Sequence, residues 1–348
     1  MNTAIADRRA LITAAEWFGG GQRVPYDPIH HRILAASDDL NETSDLSAPH
    51  LMVFERVVGA PDATGRWITM LPGYPDGSYG YGKINDLLGD AGNGLPPRLY
   101  LEYVGQGDSD KPRDYPYSTI ERADLVEAQW QAHGVRRTFV ATFDYSSLVL
   151  LELLARQQER LARGEPLSTR IESVFIANGG LFADAHSHPW LTTPLLKTPL
   201  GALSMWRAQR SPALFRSIMR GARMYAPEYA VTDAELDELF DAITRRDGAA
   251  FLHLAAGFVA EHRAHARRWD FARLYHALRD SVAFCIVGSE EDPYEPKQMV
   301  AARARLGADG LDMRMLPGGH FTTAEHPDLL AALIHERALA WLEPEPRA

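Results

Sequence analysis

The chain has 348 residues, 46% of them hydrophobic and 24% charged, with a formal net charge of −10. That length suits an α/β enzyme carrying an insertion, and the acidic balance argues against a nucleic-acid-binding footprint. A lone cysteine, Cys285, excludes an internal disulfide framework. No apolar run approaches the ~18 residues expected of a membrane-spanning helix, so no span is expected.

Residues 1–50 read as a weakly patterned N-terminal extension with a short strand at GQRVPYD. Asp7 and two arginines precede its apolar residues, and it lacks the apolar core of roughly 7–15 residues that a secretory signal needs. A cytoplasmic location is therefore expected. LMVFERVV (51–58) predicts a strand. RWITML predicts a second, ending in the loop PGYPDGSYGYG, and RLYLEYV a third, running into GQGDSDKP. STIERADLVEAQWQAHG (118–134) predicts an amphipathic helix capped by Ser118, with Glu121 completing a capping box and Gly134 ending it. RTFVATF, RIESVFIANGG, SVAFCIVGSEEDP and LDMRMLPGGH predict four more strands. SSLVLLELLARQQERLARG and PDLLAALIHERALAWL (327–342) predict helices.

Near-continuous apolar strands alternating with helices imply an α/β fold with a mostly parallel sheet covered on both faces. Residues 182–276 break the alternation. They read as a helical cap (lid) domain inserted into a core formed by 51–181 and 277–348. In such sheets ligands bind beyond the carboxyl ends of the strands. Those ends carry Tyr74, Asp144, Asn178, Asp292 and His320.

The order Asp144, Asp292, His320 matches nucleophile, acid and histidine on an elbow-type hydrolase sheet. Thr142 and Ser146 supply small residues two before and two after Asp144. An ordinary aspartate, with a pKa near ~3.9, is already ionised and can attack an sp³ carbon without a base. The resulting ester would be hydrolysed by water that His320 activates, with Asp292 holding the imidazole. Amides of Tyr145 and Tyr74 are placed to face the oxyanion. Taken alone, Asp144 would serve equally well as a helix N-cap.

The segments GQGDSDKP, PGYP, FDYSS, GSEEDP and GGHF resemble the corresponding segments of haloalkane dehalogenases and epoxide hydrolases, the α/β-hydrolases with an aspartate nucleophile. Within that group DYSS, NGGLF (178–182), PEYAVTDAELDELF and RAHARRW (263–269) resemble the mesoderm-specific transcript proteins and their bacterial relatives. The likeness runs over residues 15–343 and implies the α/β-hydrolase fold. The chain departs from the pattern at Phe143 and Pro72, where the family has histidines, and at Ser146 and Ser147, where it has glycines. The acid segment has one extra residue, so Glu291 competes with Asp292 for the acid role.

The resemblance implies a small-molecule substrate. In epoxide hydrolases lid tyrosines grip the epoxide oxygen; Tyr229, Tyr225 and Trp269 are the lid candidates here, Tyr229 foremost. In dehalogenases an indole next to the nucleophile grips halide, and Tyr145 is a poorer match. Epoxide hydrolysis therefore leads, dehalogenation follows, and a non-catalytic ligand-binding homologue is the third reading. No cofactor is implied, since GQGDSD lacks the third glycine of a dinucleotide fingerprint. HHR (30–32) and HSH (186–188) read as loop histidines, not metal ligands. The pattern carries no signal for oligomeric state.

Overall fold

The computed structural model describes residues 11–34, 50–89, 94–186, 203–204, 206–207, 209–248, 257–294, 297–307 and 311–343. Among them, nine strands form one sheet in the order β2–β1–β3–β5–β4–β6–β7–β8–β9. They are β1 (Gln22–Asp27), β2 (Arg32–Ile33), β3 (Leu51–Val58), β4 (Arg66–Leu71), β5 (Arg98–Leu101), β6 (Arg137–Phe143), β7 (Arg170–Ala177), β8 (Ala283–Ser289) and β9 (Asp312–Leu316). Pairing is antiparallel from β2 to β5 through β1 and β3, and parallel from β5 to β9. This is the mostly parallel α/β-hydrolase sheet that the sequence predicts.

The central strand β6 is buried from Thr138 to Phe143, as expected for a strand covered on both faces. Register then aligns the functional loops. Leu71 of β4 pairs with Thr142 of β6, Phe143 with Ala177 of β7, and Ser289 of β8 with Leu316 of β9. The loops after β4, β6, β7, β8 and β9 therefore leave the sheet side by side.

The N-terminal stretch departs from the sequence reading. Residues 14–33 are not an extension but part of the sheet domain. β1 pairs with β3 along five residues, and Trp17, on the helix Ala14–Gly19, is fully buried. Its indole N–H donates to Ser78 Oγ at 3.0 Å. The short strand expected at GQRVPYD is β1, with Pro25 paired to Met52 inside the ladder; its place in the sheet is what the sequence pattern does not show.

The helix Thr119–Ala132 starts at Ser118, whose hydroxyl accepts from the Glu121 amide at 3.2 Å. The reciprocal half of the expected box is missing, because the Glu121 carboxyl bonds Tyr115 instead. Gly134, at φ +64°, turns the chain out of the helix. Between β7 and β8 lie the helices Pro212–Gly221, Asp233–Thr244, Phe258–Ala264 and Phe271–Leu278. Thr232 and Glu235 close a complete capping box on the second of these. Among the described residues no helix is long and apolar enough to cross a membrane.

Candidate active site

Asp144 follows the last residue of β6 and precedes the helix Ser146–Ala162. Its backbone is left-handed, with φ 57°. A non-glycine residue there is strained, and the strain persists only where its surroundings fix it. The Asp144 amide donates to the Ala177 carbonyl at 3.0 Å. Ser146 Oγ donates to the carbonyls of Phe143 (2.8 Å) and Leu71 (3.2 Å), tying the turn to β4. The serine where the resemblance expects glycine thus acts as a clamp. Tyr145 occupies the N-cap position, and no side chain caps that helix end. The Asp144 carboxylate turns the other way.

It meets His320. Nε2 of the imidazole lies 3.2 Å from Asp144 Oδ1, and Nδ1 lies 3.0 Å from Asp292 Oδ1. The histidine and Asp292 are buried. Burial alone would push the imidazole pKa down, but Asp292 and Asp144 on two sides outweigh it and hold it well above the usual histidine range. Asp292 also accepts the Tyr294 amide at 2.8 Å. Glu291, the competing acid, is exposed and its amide bonds the Gly318 carbonyl. The geometry therefore brings Asp292, not Glu291, to the imidazole.

The loop bearing His320 is held from two directions. Asn178, at φ 47° beyond β7, donates through Nδ2 to the His320 carbonyl (2.9 Å) and Ser289 Oγ (2.9 Å), with Thr322 Oγ1 3.1 Å away. The Glu325 carboxylate accepts the amides of Gly319 at 3.0 Å and Ala226 at 3.3 Å. Asn178 stood out in the sequence as a strand-end residue, but its role depends on loops over a hundred residues away.

Tyr74 is the amide that reaches the Asp144 carboxylate: its N–H donates to Oδ2 at 3.1 Å. The Tyr145 amide makes no hydrogen bond to that carboxylate among the described residues. Gly73 is required by close approach, because a Cβ there would lie 2.5 Å from the Phe143 ring. Phe143 packs 5.6 Å from the His320 ring, centroid to centroid, and gives it an apolar wall. The Tyr145 ring stacks on Phe258 at 4.9 Å, with the Arg122 guanidinium 4.9 Å from its centre. Its hydroxyl is buried and has no hydrogen-bond partner.

The lid candidates separate. Tyr225 packs 5.3 Å from Phe321, the neighbour of His320, and lines a cavity of about 60 Å³ with Asp76, Tyr79 and Phe321. Asp144, Tyr74 and His320 are not among the residues that line it. Tyr229 stacks on Tyr225, but its hydroxyl donates to Glu235 Oε1 at 2.6 Å. Glu235 also takes Lys83 Nζ at 2.8 Å. The Tyr229 hydroxyl, foremost in the sequence reading, is thus engaged by Glu235, whereas Tyr225 lines the cavity. Trp269 lies elsewhere. It is buried, and its indole N–H donates to Glu152 Oε2 at 2.7 Å, so it packs the fold and does not line the cavity.

Asp76 is the site residue that sequence reasoning missed. It is buried, its Oδ1 has no hydrogen-bond partner, and it lines the cavity two residues after Tyr74. Burial and the charge of Asp144 push its carboxyl up to about 8. Among the described residues no group of three His, Cys, Asp or Glu side chains could hold a metal ion.

A family model described as "Alpha/beta hydrolase family" matches residues 70–333. The mouse mesoderm-specific transcript protein is 31% identical over 226 residues, covering 61% of this chain and 60% of that relative. The match thus spans about 60% of the length of that curated relative. Among solved structures, the haloalkane dehalogenase DbeA from Bradyrhizobium elkani superposes with a TM-score of 0.61 at 14% identity, covering 84% of this chain and 95% of that one. The epoxide hydrolase CorEH gives 0.57 at 14% identity, covering 84% and 96%. At such identities the structural likeness speaks for the fold alone, and one fold carries both chemistries.

Proposed function

The chain belongs to the alpha/beta hydrolase family, and from that premise we propose that it is an epoxide hydrolase using Asp144 as nucleophile. The observation that carries this reading is the Asp144 carboxylate, held between the Tyr74 amide and the His320 imidazole at the end of β6. Asp144 attacks a ring carbon of a small apolar epoxide and forms an ester on its own side chain. Esterification removes the negative charge beside His320. One of the two interactions that hold its extra proton is then gone; that proton is released to solvent while the alkoxide of the opened ring takes one up, and the neutral imidazole becomes a competent base. It takes a proton from water, and the water oxygen attacks the ester carbonyl. The Tyr74 amide faces the developing oxyanion. Collapse returns the Asp144 carboxylate, now carrying one water oxygen, and releases the diol. The helices between β7 and β8 serve as the cap over this reaction, with Tyr225 as the tyrosine beside the epoxide oxygen. No cofactor takes part.

The buried, unpartnered hydroxyl of Tyr145 favours one second reading, haloalkane dehalogenation, because a phenol beside the nucleophile could hold a departing halide.

Turnover of aryl and alkyl epoxides and of haloalkanes in heavy-oxygen water tests both. Diol formation with heavy oxygen in the peptide containing Asp144 is expected. Halide release with the same label moves the reading to a dehalogenase. Product without label in that peptide removes Asp144 as the nucleophile.

A further inference from the structure

His320 sits in the loop between β9 and the helix Thr322–Glu325, and the segment between β7 and β8 crosses that loop directly. The helix Pro212–Gly221 ends at Ala222, and Arg223, at φ 53°, turns the chain out of it. Residues 224–226 then meet the histidine loop backbone to backbone. The Phe321 amide donates to the Met224 carbonyl at 3.0 Å. The buried Glu325 carboxyl accepts the Gly319 amide at 3.0 Å and the Ala226 amide at 3.3 Å, so one side chain grips both segments. A Cβ on Gly319 would lie 2.7 Å from the Ala226 nitrogen and 2.9 Å from the Met224 oxygen. The crossing exists because the residue before His320 has no side chain.

Tyr294 makes a second tie. Its ring lies 4.9 Å from the His320 ring, centroid to centroid, and its amide donates to Asp292 Oδ1 at 2.8 Å. Its hydroxyl donates to the Ala222 carbonyl at 3.3 Å. That carbonyl is at the end of a helix, where carbonyls lack partners within the helix. One residue thus touches the imidazole, the acid and the segment between β7 and β8. We propose that Tyr294 and Glu325 are positioning residues for His320, which hold the imidazole between Asp144 and Asp292 by fastening its loop to residues 222–226.

This rests on the reading of Asp144 as nucleophile and His320 as base. Neither Tyr294 nor Glu325 makes or breaks a bond; both act through the place of the ring. The two chemical steps therefore respond differently. Asp144 needs no base to attack, so ester formation is indifferent to a small displacement of His320. Ester hydrolysis needs the imidazole within hydrogen-bond reach of the attacking water, and a misplacement of about 1 Å can slow such a step ~10²-fold. Loosening the clasp should slow hydrolysis and spare formation.

Rapid-quench intact mass with styrene oxide separates growth of the ester from its decay. Glu325→Gln places an amide nitrogen against two N–H donors, and Gly319→Ala drives a methyl group into the crossing while leaving Tyr294 and Glu325 in place. Each should slow decay about 10–10²-fold with growth unchanged. Tyr294→Phe keeps the ring and loses the tie to Ala222, so it should slow decay by only about 2–10-fold, less than Tyr294→Leu. Decay at the wild-type rate in Glu325→Gln and Gly319→Ala, or growth and decay slowed together, overturns the proposal. A second readout needs no substrate. Proton NMR of the wild-type protein should show the low-field resonance of the His320–Asp292 hydrogen bond, and Glu325→Gln and Gly319→Ala should broaden or abolish it. Its absence from the wild type, or its persistence unchanged in both variants, also overturns the proposal. If the wild-type protein forms no ester at Asp144, the nucleophile reading fails, and the resonance alone decides whether the clasp holds the ring.

Discussion

Asp144 Oδ1 lies 3.2 Å from His320 Nε2, so on the proposed mechanism the nucleophile and the base of the second step are in contact before the first step begins. The first step therefore creates the base for the second. Substituting His320 by Ala should leave ester formation possible and block its hydrolysis. Turnover should fall by at least about 10²–10⁴-fold, with the alkylated protein accumulating in the mass spectrum. Loss of turnover without accumulated ester would place His320 in the first step instead.

Asp292 and Glu291 are adjacent in sequence and opposite in position. Asp292 is buried against the imidazole and Glu291 is exposed. Asp292→Asn removes a charge that raises the His320 pKa, so that pKa should fall. The ester-hydrolysis rate should then rise with pH from a lower starting point, at a much reduced maximum. Glu291→Gln should leave the pH profile of turnover where it was.

Stability should depend on pH through buried carboxyl groups. Burial pushes Asp76 up from an ordinary 3.8 to about 8, and Glu102 from 4.5 to about 7. Between those limits the folded protein holds protons that the unfolded chain releases. Their stabilising contribution is full below the unfolded values and is lost as pH rises through the folded ones. His320, also raised, adds the same sign. Urea midpoints should thus fall from about pH 5 to about pH 8. Asp76→Asn should flatten the upper part of that fall; an unchanged slope would mean that Asp76 is ionised throughout.

Trp269 separates packing from catalysis. Trp269→Phe keeps most of the buried ring and loses the bond to Glu152, which also receives Arg268 and Arg156. A hydrogen bond to a charged group contributes about 1.5–3 kcal/mol. Urea unfolding should register a loss of that order, with turnover unchanged. A selective rise in KM would return Trp269 to the substrate site.

Asp144, Asp292 and His320 were legible in the sequence because each sits where an apolar strand stops, and strand ends of one parallel sheet must converge. Asp76 was not. Its inward turn depends on a missing side chain at Gly80 and on burial by distant parts of the chain, neither of which shows in PGYPDGSYG. Tyr229 misled for a related reason. The run PEYAVTDAE announces a capping box, but not that the capping Glu235 also takes the Tyr229 hydroxyl. Trp269 depends on a glutamate more than a hundred residues away. Local pattern fixes where elements end; which long side chains pair across them is a tertiary matter.

The register of β4, β6, β8 and β9 brings the loops bearing Tyr74, Asp144, Asp292 and His320 side by side. The segment between β7 and β8 contributes Tyr225 to the cavity wall and fastens the loop after β9 through Asn178, Met224 and Ala226. Reactivity and selectivity are thus separable wherever an exchanged cap keeps those three ties. An insertion point between two adjacent strands lets a lineage exchange what it admits while keeping how it reacts. A graft of another cap onto this sheet is the laboratory version of the same exchange.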